Sequence, residues 1–208
     1  MGIDTKGFEP NPDITPEELA EMRVDVADRI IVARVGLLLR HPFFGNMDTR
    51  LIVKNCDDWC PTAATDGRHL YYNTQFFNAL SNKEIEFVIA HEILHCVFDH
   101  IIRREGRDPM IYNIACDYIV NNILVRDKIC EPVKMIKIFQ DFKYDNWASE
   151  AVYDDIFEKY DQEELEQLGQ LLDEHVDWEK SDNKGKPKGG SSGKDDEGRP
   201  TYSKEELK

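Results

Sequence analysis

Five consecutive residues carry the most pointed chemistry in this chain, His91-Glu92-Ile93-Leu94-His95. On an α-helix, positions four apart lie on nearly the same face. Both imidazoles can therefore address one metal ion, with Glu92 projecting beside them toward a water. Two histidines, one further protein ligand and an open position suit Zn²⁺, which acidifies a water and polarises a carbonyl. In such a site Glu92 is the general base of a hydrolysis and returns the proton to the leaving amine. The neighbours Val88, Ile89, Ala90, Ile93, Leu94 and Val97 are apolar. Burying two histidines and a glutamate among them is costly unless something compensates, and a metal with a cavity water would do so. A pattern this short also arises by chance, so the rest of the chain must supply the remaining ligand.

A helix predicted over 110–125 is almost wholly apolar, and its interruptions fall at Asn113, Asp117 and Asn121, spaced i, i+4, i+8. A polar stripe on a buried helix requires partners. An antiparallel approach of the motif helix across the turn at 105–107 would provide them. Asp117 is then the better candidate for the third ligand, with Asn121 and Asn113 as neighbouring polar candidates behind it or at an oxyanion; the alternative is a stripe that satisfies backbone or loop groups. His100 is the competing candidate. On a continuous helix it lies roughly 180° from His91, and it could ligate only if the helix broke between 96 and 99. It reads instead as a histidine behind the ligands or on the surface. Tyr112, Tyr118 and Arg103 are candidates for stabilising an oxyanion, and the sequence does not choose among them.

The elements that must position these groups are legible in outline. Thr15-Pro16-Glu17-Glu18 starts a helix over 13–40, along which Val24, Ala27, Ile31, Val35 and Leu38 recur at helical spacing. His41-Pro42 ends it, and Phe43-Phe44-Gly45-Asn46 reads as a turn. A strand at 50–54 and a hairpin about Asp66-Gly67 predict a small antiparallel sheet ahead of the motif helix, whose strand at 68–72 could bind an extended peptide by edge pairing. A short helix at 73–80 follows. Ser81 and Glu84 form a capping box for a motif helix over 84–104. Asp108-Pro109 starts the next helix, which runs to about 126. Residues 129–142 read as a loop over the site, followed by helices at 149–160 and 162–175. The fold class is α+β, mostly helical with the small sheet before the motif.

The 208 residues suffice for one domain, 1–178, with a tail, 179–208. Residues 184–199 hold no apolar side chain to bury and read as a flexible linker, leading toward a C-terminal part beyond it. The net charge of −15 disfavours nucleic acid and anionic membranes as partners, and no apolar run reaches membrane-spanning length. Residues 1–12 show no secretory signal. Five cysteines in this pattern read as reduced thiols of a cytoplasmic protein, and Cys56-x3-Cys60 lacks the second pair of a four-ligand site.

The motif and its uncharged neighbours resemble the zincin metallopeptidases. In the gluzincin type a carboxylate on the following helix completes the site and a polar residue one turn on orients a histidine. Asp117 and Asn121 match those roles, with Asp for the usual Glu and Asn for the usual Asp. More specifically, the chain resembles the metallopeptidase domain found N-terminal to von Willebrand factor A-like domains in bacterial and phage proteins. The matching stretches are Pro42-Phe43-Phe44-Gly45, Thr62-Ala63-Ala64-Thr65-Asp66-Gly67, Leu70-Tyr71-Tyr72-Asn73, the motif itself, Asn113-Ile114-Ala115-Cys116-Asp117 and Ser149-Glu150-Ala151-Val152-Tyr153. The resemblance implies a zincin-like fold, a zinc ion, peptide or protein substrates, and a von Willebrand factor A-like domain or protein as partner. It also admits a second reading, a catalytically silent zinc-containing adaptor module.

Overall fold

Thr15 opens the first helix as its sequence predicts, its side chain accepting from the Glu18 amide while Glu18 reaches back to the Thr15 amide. The computed structural model describes residues 8–159, with the short antiparallel pair Gly193–Lys194 and Pro200–Thr201. The linker predicted within 179–208 falls otherwise outside the described residues, as does the helix at 162–175.

In chain order the elements are α1 (Pro16–Arg40), α2 (Pro42–Asp48), β1 (Ile52–Asn55), β2 (Ala63–Thr65), β3 (His69–Tyr72), α3 (Thr74–Ala79), α4 (Asn82–Val97), α5 (His100–Arg103), α6 (Pro109–Arg126), a 3-10 turn (Phe142–Tyr144) and α7 (Ser149–Lys159). α4 is the central element, packed by α1 on one side and by α6 on the other, and α7 lies against α6. Every residue of α4 from Glu84 to His95 is buried, the pattern of a helix enclosed on all sides. One apolar core joins α1, α3, α4 and the sheet through Leu37, Leu70, Phe76, Phe87 and Ile89. A second joins α6 to α7 through Ile114, Ile119, Val152 and Ile156.

Five expectations change. The face of α1 that enters the core carries Val26, Ile30, Ala33 and Leu37, not the stripe through Val24, Ile31, Val35 and Leu38, which is exposed. Both stripes have helical spacing. The buried one has the small side chains, Ala33 and Gly36, that let α1 come close to Glu86 of α4. The predicted turn at Phe43-Phe44-Gly45 is the helix α2, with Pro42 in its first turn. There Gly45 meets the Leu38 backbone so closely that a Cβ would overlap it.

The sheet is mixed, not antiparallel. Its order is β1-β3-β2, with β1 and β3 parallel and β2 and β3 antiparallel. The segment 56–62 is longer than a tight hairpin loop and carries the chain past the position that β3 then fills. The Asp66-Gly67 hairpin forms as predicted, with Gly67 at φ +84° and the Asp66 carboxylate accepting from the Arg68 and His69 amides. Because β3 is the central strand, paired on both edges, it offers no edge for a peptide. Finally, the motif helix does not run to 104. It ends at Val97, Asp99 takes the left-handed conformation (φ 53°), and α5 restarts at His100 in a new direction.

Candidate metal centre

Ser81 and Glu84 form the predicted capping box at the start of α4. Asp108 caps α6, accepting from the Met110 and Ile111 amides. These caps set two helices whose facing residues pair in opposite senses, His91 with Asn121 and His95 with Asp117. The pair is thus antiparallel, and the polar stripe of α6 meets the motif.

Three ligand atoms converge. His91 Nε2 and His95 Nε2 lie 2.9 Å apart, and Asp117 Oδ1 is 3.4 Å from the first and 3.2 Å from the second. His91, Glu92, His95 and Asp117 are each at most 1% exposed.

The outer ring nitrogens decide what these atoms are. His91 Nδ1 is 3.0 Å from Asn121 Oδ1, and Asn121 Nδ2 donates to the Phe139 carbonyl at 2.9 Å. The amide is thereby oriented with its oxygen toward the ring, so Nδ1 carries the proton and Nε2 a lone pair. His95 Nδ1 is 3.1 Å from His100 Nδ1, and His100 Nε2 is 2.9 Å from Ser149 Oγ. With the His95 proton on Nδ1, its Nε2 also presents a lone pair. Two imidazole lone pairs and a carboxylate oxygen then face one another. Acceptors crowded this way repel unless a cation stands among them, and the donor set N, N, O suits a transition-metal ion. The residues fit a metal ion, and these atoms all lie within 4.8 Å of one another.

Electrostatics are consistent with that geometry. Burial pushes the Glu92 carboxyl up to about 7, and neither of its oxygens has a hydrogen-bond partner among the described residues. Burial lowers His95 to about 4 and His100 to about 2, keeping both neutral. Burial acts to raise Asp117, yet the two imidazoles outweigh it and hold the carboxyl at about 2. Burial acts to lower His91, and Asp117 reverses it, so this imidazole is raised.

His100 stands behind His95, and it does so by a route different from the one expected. The helix breaks within 96–99, and the break turns His100 inward onto the back of His95. Ser149, which holds the far nitrogen of His100, is signalled in the sequence only by its place at the start of a predicted helix and of the matching stretch Ser149-Glu150-Ala151-Val152-Tyr153. Arg103 locks α5 to α7 through Glu150 (Nε–Oε1 2.9 Å, Nη2–Oε2 2.6 Å) and donates to the Phe98 carbonyl. The Tyr112 hydroxyl is 3.5 Å from Glu150, and the Tyr118 ring packs on Phe139 and Tyr144. Asn113 lies one turn before Asp117 on α6. Asn122, absent from the expected set, is buried and exchanges hydrogen bonds with the Asp141 backbone. With Lys134, whose amide donates to Glu84, and Phe139, it ties the strap 129–141 to both helices.

No curated protein and no solved structure matches this chain. A family model described as "Putative metallopeptidase domain" matches residues 26–208, a span that contains every group of the His91–His95–Asp117 centre. By that match, the chain belongs to this metallopeptidase domain family.

Proposed function

We propose that the chain is a zinc-dependent peptidase of zincin type, with α4 and α6 supplying the site. The observation that carries the reading is the meeting of three acceptor atoms, on His91, His95 and Asp117, beside a buried Glu92 with no hydrogen-bond partner among the described residues. A zinc ion held there supplies Lewis acidity, acidifying a water and polarising the scissile carbonyl. Asn121 and His100 keep the two rings turned so that both Nε2 atoms face the centre. Glu92 accepts the proton of the attacking water and delivers it to the amide nitrogen as the carbon–nitrogen bond breaks. Burial suits it to this work, because a carboxyl raised to about 7 both takes and gives a proton near neutrality. The reading gives the protein peptide or protein substrates and a von Willebrand factor A-like domain or protein as partner. That none of its five cysteines forms a disulfide supports a reducing, cytoplasmic setting.

One observation favours a second reading, a silent adaptor module in which the metal is structural. The centre is enclosed on all sides, and structural zinc sites are closed where catalytic ones keep an open position. Against it, a structural site has no use for Glu92, and an unpaired buried carboxylate costs several kcal/mol.

The test is metal analysis together with Glu92→Gln. The wild type should hold one zinc per chain, and His91→Ala and His95→Ala should lose it. Glu92→Gln should keep metal and fold while hydrolysis of unfolded protein substrates falls by about 10²–10⁴-fold. A wild type that takes up no zinc defeats both readings. Zinc-loaded wild type as inert as the variant, alone and with the C-terminal partner present, leaves the adaptor.

A further inference from the structure

Behind the metal ligands lies a cavity of about 380 Å³, at the small end of the range for ligand pockets. Its inner end is formed by His100 and Ser149, both buried, and its mouth by Asn146 and Trp147, both exposed. None of His91, Glu92, His95 and Asp117 lines it. It meets the metal centre only from the rear, through the His100 ring that backs His95, and not on the face where the three acceptor atoms converge.

The lining says what fits. Phe98, Ile119, Ile123, Tyr144 and Trp147 supply apolar walls. Phe98 packs on His100 with ring centroids 5.5 Å apart, and Tyr144 meets Trp147 edge to face at 5.5 Å. An aromatic ring entering among them finds neighbours at the spacing such rings prefer. A charged occupant finds no free partner. Arg103 is held by Glu150 and the Phe98 carbonyl, and Arg126 by Asp127 and Asp145. An ionised group would have to break one of these pairs to be compensated, whereas an uncharged one leaves them intact.

Polar capacity remains at the mouth. Among the described residues, neither the Asn146 carboxamide nor the Trp147 indole N–H enters a hydrogen bond. A carboxamide both donates and accepts, as a peptide unit does, and an indole donates. Asn146 stands in the left-handed region at φ 64°, which asparagine tolerates better than most residues, and the Trp147 amide closes the turn onto the Tyr144 carbonyl at 3.0 Å.

We propose that this cavity anchors an aromatic side chain of the protein substrate, with Asn146 and Trp147 hydrogen-bonded to the peptide units that flank it. The substrate role rests on the peptidase reading above. The binding of an uncharged aromatic residue does not, since it uses neither the metal nor Glu92.

Titration of the full chain with N-acetyl-phenylalaninamide, followed by nuclear magnetic resonance, tests the binding. The Trp147 indole N–H signal, assigned by its loss in Trp147→Phe, should shift and saturate with a Kd of about 1 mM or tighter. The matching alanine and aspartate amides should bind about tenfold more weakly or worse, the first for want of apolar surface and the second for its charge. Asn146→Gly, which suits the positive φ and removes the carboxamide, should weaken binding by about five- to tenfold. Trp147→Ala should weaken it by about tenfold or more, read on the backbone amides of 144–149. Both positions are exposed, so the circular dichroism spectrum should not change. An indole signal that does not move at about ten times the expected Kd, or an aspartate probe that binds as tightly, would overturn the proposal. The substrate role is read on the zinc-loaded Glu92→Gln chain by its binding of unfolded casein, which Trp147→Ala should weaken several-fold. Casein binding indifferent to Trp147→Ala overturns that role. Casein hydrolysis no faster in the wild type than in Glu92→Gln, with the aromatic probe still bound, defeats the peptidase reading and leaves the aromatic pocket standing.

Discussion

His95 depends on residues it does not share a helix with. His100 fixes its outer nitrogen and Ser149 fixes His100, so the nitrogen facing the centre is set by a relay that begins on α7. Partners of this kind tune a metal ligand without replacing it. His100→Ala should therefore keep the metal but bind it about 10–100-fold more weakly, as measured by competition with a chromophoric chelator. Asp117→Ala removes one of the three converging atoms and should fail to hold zinc in stoichiometric amount. If the two variants exchange these behaviours, the ligand set proposed above is wrong.

The elements are placed by close contacts as much as by apolar area. α2 folds back on α1 because Gly45 leaves room for the Leu38 backbone. Backbone cannot yield as a flexible side chain can, so Gly45→Ala should separate the two helices and cost about 2 kcal/mol or more. Gly67 offers a comparison. Nothing lies within 4 Å of a Cβ there, and its φ of +84° alone should make Gly67→Ala cost about 1–2 kcal/mol. Urea unfolding of both variants measures the difference, and a Gly45→Ala protein as stable as wild type would show that α2 can move away freely. The break at Phe98–Asp99 acts at the same scale. It ends α4 two residues after the buried run closes at His95 and redirects His100 toward the core.

In the whole molecule, α4 and α6 press three acceptors together at the junction of two cores, so metal and fold are linked. Zinc bound to the folded state alone should stabilise it by about 4 kcal/mol at a thousandfold excess over Kd, and chelation should lower the melting temperature correspondingly. The chelated protein should also respond to pH. His95, lowered to about 4, and His100, lowered to about 2, contribute stability above their ordinary value near 6.5 that is lost as acid protonates the unfolded chain. His91 is raised, and Glu92 is raised to about 7. Their contribution has the opposite sign and is lost as pH rises through those folded values. Near pH 5.5 the unfolded chain then holds one proton more than the folded one across these four groups, so stability should fall by about 1.4 kcal/mol per pH unit on acidification. Above about pH 7 it should decline again. Melting of chelated protein from pH 8 to 4.5 should show a maximum near pH 6.5, and a monotonic rise toward acid would contradict these assignments.

Local signals were readable without any structure because they depend on neighbours in the chain. The helix start at Thr15-Pro16, the capping box at Ser81, the Asp108-Pro109 start, the Asp-Gly hairpin and the i, i+4 spacing of the motif all formed as read. The polar stripe on α6 was legible for the same reason, since an aspartate and two asparagines on an apolar helix require partners. Tertiary packing decided the rest. Two stripes on α1 satisfied the same periodicity, and only the close approach to α4 at Gly36 selected the inner one. The order β1-β3-β2 follows from where a seven-residue connection, 56–62, carries the chain, and strand propensity does not encode that. His100 reached the back of His95 because Asp99 adopts a left-handed conformation, and long-range contacts of α5 with α7 through Arg103, Glu150 and Ser149 accompany that turn.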